Sequence, residues 1–278
     1  MCGICLRTND NMMFVWIYVG EKMAGTVTKK LVARVSKRYQ QQVRAGEDQV
    51  DLRFWKKPVG VNVPGDPLKF LYVSDAAEHR MLGKLAGEVL SYQKQHYQTK
   101  EMITRAVMIT MGGLLPGVYL HDNIAWIDSL GISEFGVLGV ESYVAPGEMM
   151  SKPRVILDTN VDIKGRVVLV VEDLGDTGRT PELVAKMLKK RGAAKVIVLL
   201  AYLKPKAKEV LKGQELMYFG ETTQDTWIIT PRERVETLRK RVPHWRDELG
   251  RNMRQCRSYL LAIGYPKYLI EAHLPEFF

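Results

Sequence analysis

Glu172 and Asp173 stand side by side at the end of an apolar run, and Asp176, Thr177, Gly178, Arg179 and Thr180 follow in one short loop. Two adjacent carboxylates at a strand's C-terminal end lie where open α/β sheets bind ligands. A small-residue loop that opens a helix offers unpaired backbone N–H groups and the positive end of a dipole, which suits a phosphate. Thr177 and Thr180 can donate hydroxyls, and Gly178 lets the backbone approach a ligand closely. No G-x-x-x-x-G-K-[ST] occurs, so this is not a Walker loop. Two further groups carry chemistry. Gly112 and Gly113, after Met111, can turn backbone N–H groups inward on an anion. Lys204 can donate to an oxo group, and the ring of Trp227 can stack on a flat base.

The elements that must position these groups are legible from periodicity. Ala106–Thr110, Phe135–Gly139, Val167–Val171 and Val196–Ala201 are short apolar runs bounded by charges or glycines, as expected of strands buried on both faces. Between the last two, Glu182 to Arg191 sets Leu183, Val184, Met187 and Leu188 on one side, with Pro181 near its start and Gly192 past its end. Strand, loop, helix and strand make a βαβ unit, and strands alternating with helical patterns predict an α/β domain with a parallel sheet. Three regions follow: an N-terminal extension (residues 1–66), an α/β domain (67–231), and a basic helical C-terminal extension (232–278).

The run from Val170 to Thr180 resembles the phosphoribosyl pyrophosphate motif of type I phosphoribosyltransferases, a hydrophobic strand followed by E/D-D-x-x-D-T-G-x-T, with every fixed position present. That resemblance implies the type I phosphoribosyltransferase fold, a central, mainly parallel sheet flanked by helices with a small hood. It implies that Glu172 and Asp173 hold ribose hydroxyls, directly or through Mg2+. Asp176 is then the candidate for proton exchange at the purine N7, and Asp176 to Thr180 cradle the 5′-phosphate. Further segments are similar to xanthine-guanine phosphoribosyltransferase and its 6-oxopurine relatives. Lys69 to Ser74 with the helix after it looks like that family's first strand and helix, and Met111-Gly112-Gly113-Leu114-Leu115-Pro116 takes the place of its pyrophosphate loop. Lys204-Pro205 and Gln224-Asp225-Thr226-Trp227-Ile228 match its base-binding segments. By resemblance Lys204 reads O6, Trp227 stacks on the base and the Ile228 backbone contacts the purine edge. Met111 departs from the pattern, because the family usually carries a cation there; Lys152, Arg154 or a neighbouring subunit are candidates to compensate. Residues 141–164 take the place of the family's mobile loop, with a plain surface hairpin as the other reading.

The expected activity is therefore transfer of ribose 5-phosphate from phosphoribosyl pyrophosphate (PRPP) to a 6-oxopurine, in a homo-oligomer. The alternative is a PRPP- or nucleotide-sensing regulator that binds nucleic acid. The formal charge of +10 suits polyanions of either kind. Residues 232–278 hold ten Lys/Arg against six Asp/Glu, with Trp245 and Tyr259 interleaved; packed amphipathic helices explain that pattern as well as nucleic-acid contact does. Three cysteines, Cys2, Cys5 and Cys256, make no disulfide framework and point to a reducing compartment, the cytoplasm. Cys2-x-x-Cys5 lacks the second pair that a zinc site needs. The apolar run Met12–Val19 is too short to span a bilayer and reads as a strand, or as sequence upstream of a start at Met23.

Overall fold

The computed structural model describes residues 36–145 and 148–278. Cys2, Cys5, Met12–Val19 and Met23 lie outside the described residues, as does the side chain of Lys152. The main sheet has six strands: β3 (Ile103–Thr110), β4 (Glu134–Ala145), β5 (Glu148–Leu157), β6 (Val167–Gly175), β7 (Lys195–Leu203) and β8 (Glu215–Glu221). Their order is β5-β4-β3-β6-β7-β8, and only the β4–β5 pair is antiparallel. Residues 141–145 and 148–157 thus belong to two paired antiparallel strands.

The centre of the sheet is apolar on both sides. Along β6, Val167, Leu169 and Val171 join one cluster of buried side chains while Val168 and Val170 join another, the alternation a strand imposes. Helices α3 (Asp75–Gln95) and α4 (Leu114–Ile124) contribute to the first cluster, and α5 (Arg179–Lys190) and α6 (Pro205–Val210) to the second. Two of these helices start on a clear local signal. The Ser74 hydroxyl caps α3 by accepting from the Ala77 N–H, and Pro205 opens α6 at a position where its missing N–H costs nothing. Gly192, at φ +94°, turns the chain out of α5.

A second sheet of three strands, β1 (Val61–Asn62), β2 (Lys69–Tyr72) and β9 (Thr226–Ile229), forms the smaller layer expected as a hood. β2 and β9 run parallel with Phe70 beside Trp227. The flanking segments pack around it. On the N-terminal side α1 (Lys37–Arg44) meets β2 through Tyr39, while α2 (Leu52–Lys56) lies against α3 and β8. On the C-terminal side α7 (Arg234–Pro243) meets β9, α8 (Met253–Ile263) meets β2, and α9 (Lys267–His273) packs on α7 and α8. They also meet each other. The Tyr39 hydroxyl donates to the Ile263 carbonyl at 3.0 Å and accepts from the Tyr72 N–H at 2.8 Å. Asp66, with a fully buried side chain, pairs with Arg241 and accepts from the Trp245 indole at 2.7 Å. Much of the basic charge after residue 231 is engaged in this way, since Arg234 pairs with Asp75, Arg257 with Glu271 and Lys240 with Glu236. Among the described residues no helix is long and apolar enough to cross a membrane.

Candidate active site

β6 delivers the motif. Its last residues leave the sheet at the C-terminal edge, and Gly178, at φ +76° and ψ −4°, turns the chain into α5. A side chain there would adopt a backbone conformation that favours glycine, and its Cβ would sit 3.0 Å from the Ala207 Cα. The backbone N–H groups of the first turn of α5 therefore face the loop made by Asp176 to Thr180, with their donors not committed to a preceding helical turn. Arg179 is exposed and Thr177 and Thr180 are half-buried.

Glu172 is buried, and burial pushes its carboxyl well above the usual carboxylate range, with the neighbouring Asp173 charge adding to the shift. Asp173 accepts from Arg232 at 2.5 Å, and Arg232 also donates to Glu78, in the first turn of α3, at 2.9 Å. Burial raises the Glu78 carboxyl, with Arg232 opposing the shift, and burial likewise raises that of Glu233. Two carboxylates of the motif thus share a pocket with a third acid and one guanidinium.

The Met111–Gly113 loop, following β3, abuts this pocket. A Cβ added to Gly112 would fall within 3.0 Å of carboxylate oxygens of both Glu172 and Asp173, and one added to Gly113 would strike the backbone of Val171 and Ile109. Only glycine lets the loop lie against the acids. The peptide between Thr110 and Met111 is cis, and the Met111 side chain is 78% exposed.

On the other side of the motif, β7 ends at Lys204. Its side chain, 8% exposed, places Nζ 2.8 Å from an Asp176 carboxylate oxygen, and the Gln224 amide donates to the same oxygen at 3.2 Å. Gln224 in turn accepts from the Lys206 N–H, tying the segment before β9 to α6. Asp176, Lys204 and Gln224 therefore converge. Trp227 lies on the face of β9 turned to the C-terminal helices: its indole N–H donates to Thr237 at 3.0 Å, with Lys240 and Arg241 near the ring. Ile228 points the opposite way and is buried. Arg154, on β5, pairs with Glu141 at 2.5 Å. The motif acids, glycine loop and Lys204 are brought together, and Trp227 packs against α7 through Thr237. Among the described residues no three or more His, Cys, Asp or Glu side chains are grouped to hold a metal ion by themselves.

Residues 87–233, just over half of the chain, match the phosphoribosyl transferase domain family. The chain belongs to that family. It is 32% identical over 118 residues to a hypoxanthine-guanine phosphoribosyltransferase of Lactococcus lactis, covering 42% of this chain and 59% of that one. To a xanthine-guanine phosphoribosyltransferase of Gluconobacter oxydans it is 29% identical over 125 residues, covering 45% of this chain and 66% of the other. The matched part thus spans about three-fifths to two-thirds of these curated relatives. A solved purine phosphoribosyltransferase of Pyrococcus horikoshii superposes with a TM-score of 0.44 at 25% identity, over 58% of this chain and 92% of that one.

Arg232 and Glu78 are the site residues that this phosphoribosyltransferase-family sequence did not disclose. Arg232 lies 59 residues from Asp173 and 154 from Glu78, and neither belongs to a recognisable spacing. The position of Arg232, three residues past the end of β9, was the one available signal.

Proposed function

We propose that the protein transfers ribose 5-phosphate from PRPP to N9 of a 6-oxopurine, releasing pyrophosphate. The observation that carries this reading is the convergence of Glu172, Asp173 and the Gly112 backbone on one side of the Asp176–Thr180 loop, with Lys204 on the other. In the reaction the C1′–O bond breaks with its electron pair leaving on the pyrophosphate oxygen, and N9–C1′ forms. The proton then carried by the purine at N7 passes to Asp176. The transition state resembles the oxocarbenium species of glycoside chemistry, so the residues' work is to hold both substrates in line and stabilise charge.

Asp176 to Thr180 bind the 5′-phosphate with backbone donors, Glu172 and Asp173 hold the ribose hydroxyls, and Met111 to Gly113 receive the pyrophosphate. Lys204, buried and poised on Asp176, donates to the purine O6, and the Ile228 backbone borders the purine edge, with Trp227 as the stacking ring. Mg2+ fits this donor set, because that ion is usually held by one or two carboxylates together with substrate phosphates rather than by an all-protein cage. Bound there by Glu172 and Asp173 through the ribose hydroxyls or water, it would neutralise the leaving group. The working form would be a cytoplasmic homo-oligomer.

The test is to mix the full chain with PRPP, Mg2+ and each of hypoxanthine, guanine and xanthine, and to follow pyrophosphate. Turnover with at least one 6-oxopurine, lost in Asp176→Asn, is expected. Salt-sensitive binding to DNA or RNA without turnover of any base would refute it and favour the regulator reading. The ion pairs that engage Arg232, Arg234, Arg241 and Arg257 count against that second reading.

A further inference from the structure

We infer that Arg232, supplied by the segment that leads into the C-terminal helices, is a pyrophosphate-binding residue of this site. The inference rests on the reading of the site as one for PRPP. Met111, Gly112, Gly113, Leu114 and Leu115 carry no charged side chain. A diphosphate seated on that loop lies against Glu172 and Asp173, whose carboxylate oxygens are the nearest atoms to the Gly112 α-carbon's open side. Close placement of like charges in a half-buried pocket is costly unless a cation intervenes.

Arg232 is the guanidinium in contact with that pocket. Its side chain is 16% exposed, and it touches Asp173 through one terminal nitrogen and Glu78 through the other. Asp173 is the link. One of its oxygens faces Gly112 and the other accepts from Arg232. One carboxylate group therefore separates the guanidinium from the loop backbone. Burial pulls the Arg232 proton affinity down, but Asp173 and Glu78 hold it above its ordinary value, so the group stays cationic. A planar guanidinium with five donors matches phosphate oxygens two at a time. Without ligand the acids hold this charge in place. A diphosphate seated on the loop competes with Asp173 for the donor that points at it, and ribose hydroxyls on Asp173 would favour the exchange further. The charge then opposes the negative charge that builds on the leaving oxygen as the C1′–O bond breaks.

The roles of Arg232 and Glu78 predict effects of opposite sign, which a purely structural ion pair would not give. The probe is inorganic pyrophosphate with Mg2+, titrated calorimetrically into the full-length chain and its variants. Arg232→Gln is expected to bind pyrophosphate on the order of tenfold to a hundredfold more weakly, the range of a lost charge-assisted bond. Arg232→Lys, which keeps the charge and loses the fork, is expected between the two. Glu78→Gln removes a competing carboxylate while leaving an acceptor for Arg232, and is expected to bind pyrophosphate several-fold more tightly. The double variant should bind like Arg232→Gln alone. If pyrophosphate binds the wild-type chain and Arg232→Gln equally, or Glu78→Gln weakens binding, this inference is overturned while the reading of the site stands. If the wild-type chain binds neither pyrophosphate nor PRPP, both are overturned.

Discussion

Gly112 and Gly113 are adjacent, yet alanine at each should fail in a different way. At Gly112 the new Cβ would meet the ends of two side chains, Glu172 and Asp173, with the Asp173 Cγ 2.9 Å away. Carboxylates can swing aside, so Gly112→Ala should cost little stability. The same swing moves the acids by about 1 Å from their working positions, a displacement that costs on the order of a hundredfold in rate. At Gly113 the new Cβ would meet the Val171 carbonyl and, at 2.8 Å, the Ile109 nitrogen, both main-chain atoms of adjacent buried strands. These cannot move without opening the sheet. Gly113→Ala should therefore lose about 3 kcal/mol, the upper part of the usual overpacking range, which lowers Tm by roughly 6 °C or more in a chain of this size. The assay is a thermal melt of each variant beside pyrophosphate release with PRPP and the best purine. Gly112→Ala should melt near wild type and turn over about a hundredfold more slowly. The reasoning is refuted if Gly112→Ala keeps wild-type turnover, or if it melts as low as Gly113→Ala.

Glu172 has its folded-state pKa raised by burial, so the native chain binds its proton more tightly than the unfolded chain and stability falls as pH rises through the titration. Glu172→Gln should raise Tm at neutral pH, with the gain shrinking in acid; an equal gain at every pH would contradict this. Asp66→Ala leaves the buried Arg241 without its carboxylate and should destabilise by about 3–5 kcal/mol, read by chemical denaturation. Cys256 is fully buried and its thiol is pushed up to about 11 by that burial, so a thiol reagent at pH 8 should react far faster after denaturation than before. Lys204→Met should weaken purine binding more than PRPP binding, since Lys204 sits on Asp176 and not on the Glu172–Asp173 pair; equal losses would argue against its role at the base.

The parts of the fold that could be read in advance are those whose signal is local. Val167–Val171 and Val196–Ala201 lie inside β6 and β7, and Glu182–Arg191 inside or one residue past α5, because a strand buried on both faces and an amphipathic helix each write their surroundings into consecutive residues. The motif was legible for the same reason: loop, glycine and helix start are contiguous. β8 escaped because it is an edge strand with several half-buried residues, so no continuous apolar run marks it. The hood and its strand at Lys69 were expected only through the resemblance, and the pairing of β2 with β9 was not legible because two four-residue segments become a unit only across the whole domain. For Trp227 and Ile228, period two fixes that they point to opposite faces, but not which face α7 covers. Arg232 could not be assigned at all, since the acids it meets come from distant parts of the sequence.

The pairing of β2 with β9 has a consequence for how the protein is made. The two strands are more than 150 residues apart, so at about 5–20 residues per second β2 leaves the ribosome on the order of 10 s before its parallel neighbour exists. During that interval Phe70, Leu71 and Tyr72, all buried in the finished molecule, have the short β1 as their sheet partner and lack β9. The strands β3 to β7 can pair in the meantime, while the smaller sheet waits for the last fifth of translation. A nascent chain stalled shortly before Thr226 should accordingly be sticky and chaperone-bound, and completion through Trp245 and Tyr265, which pack on Phe70 and Tyr72, should clear it.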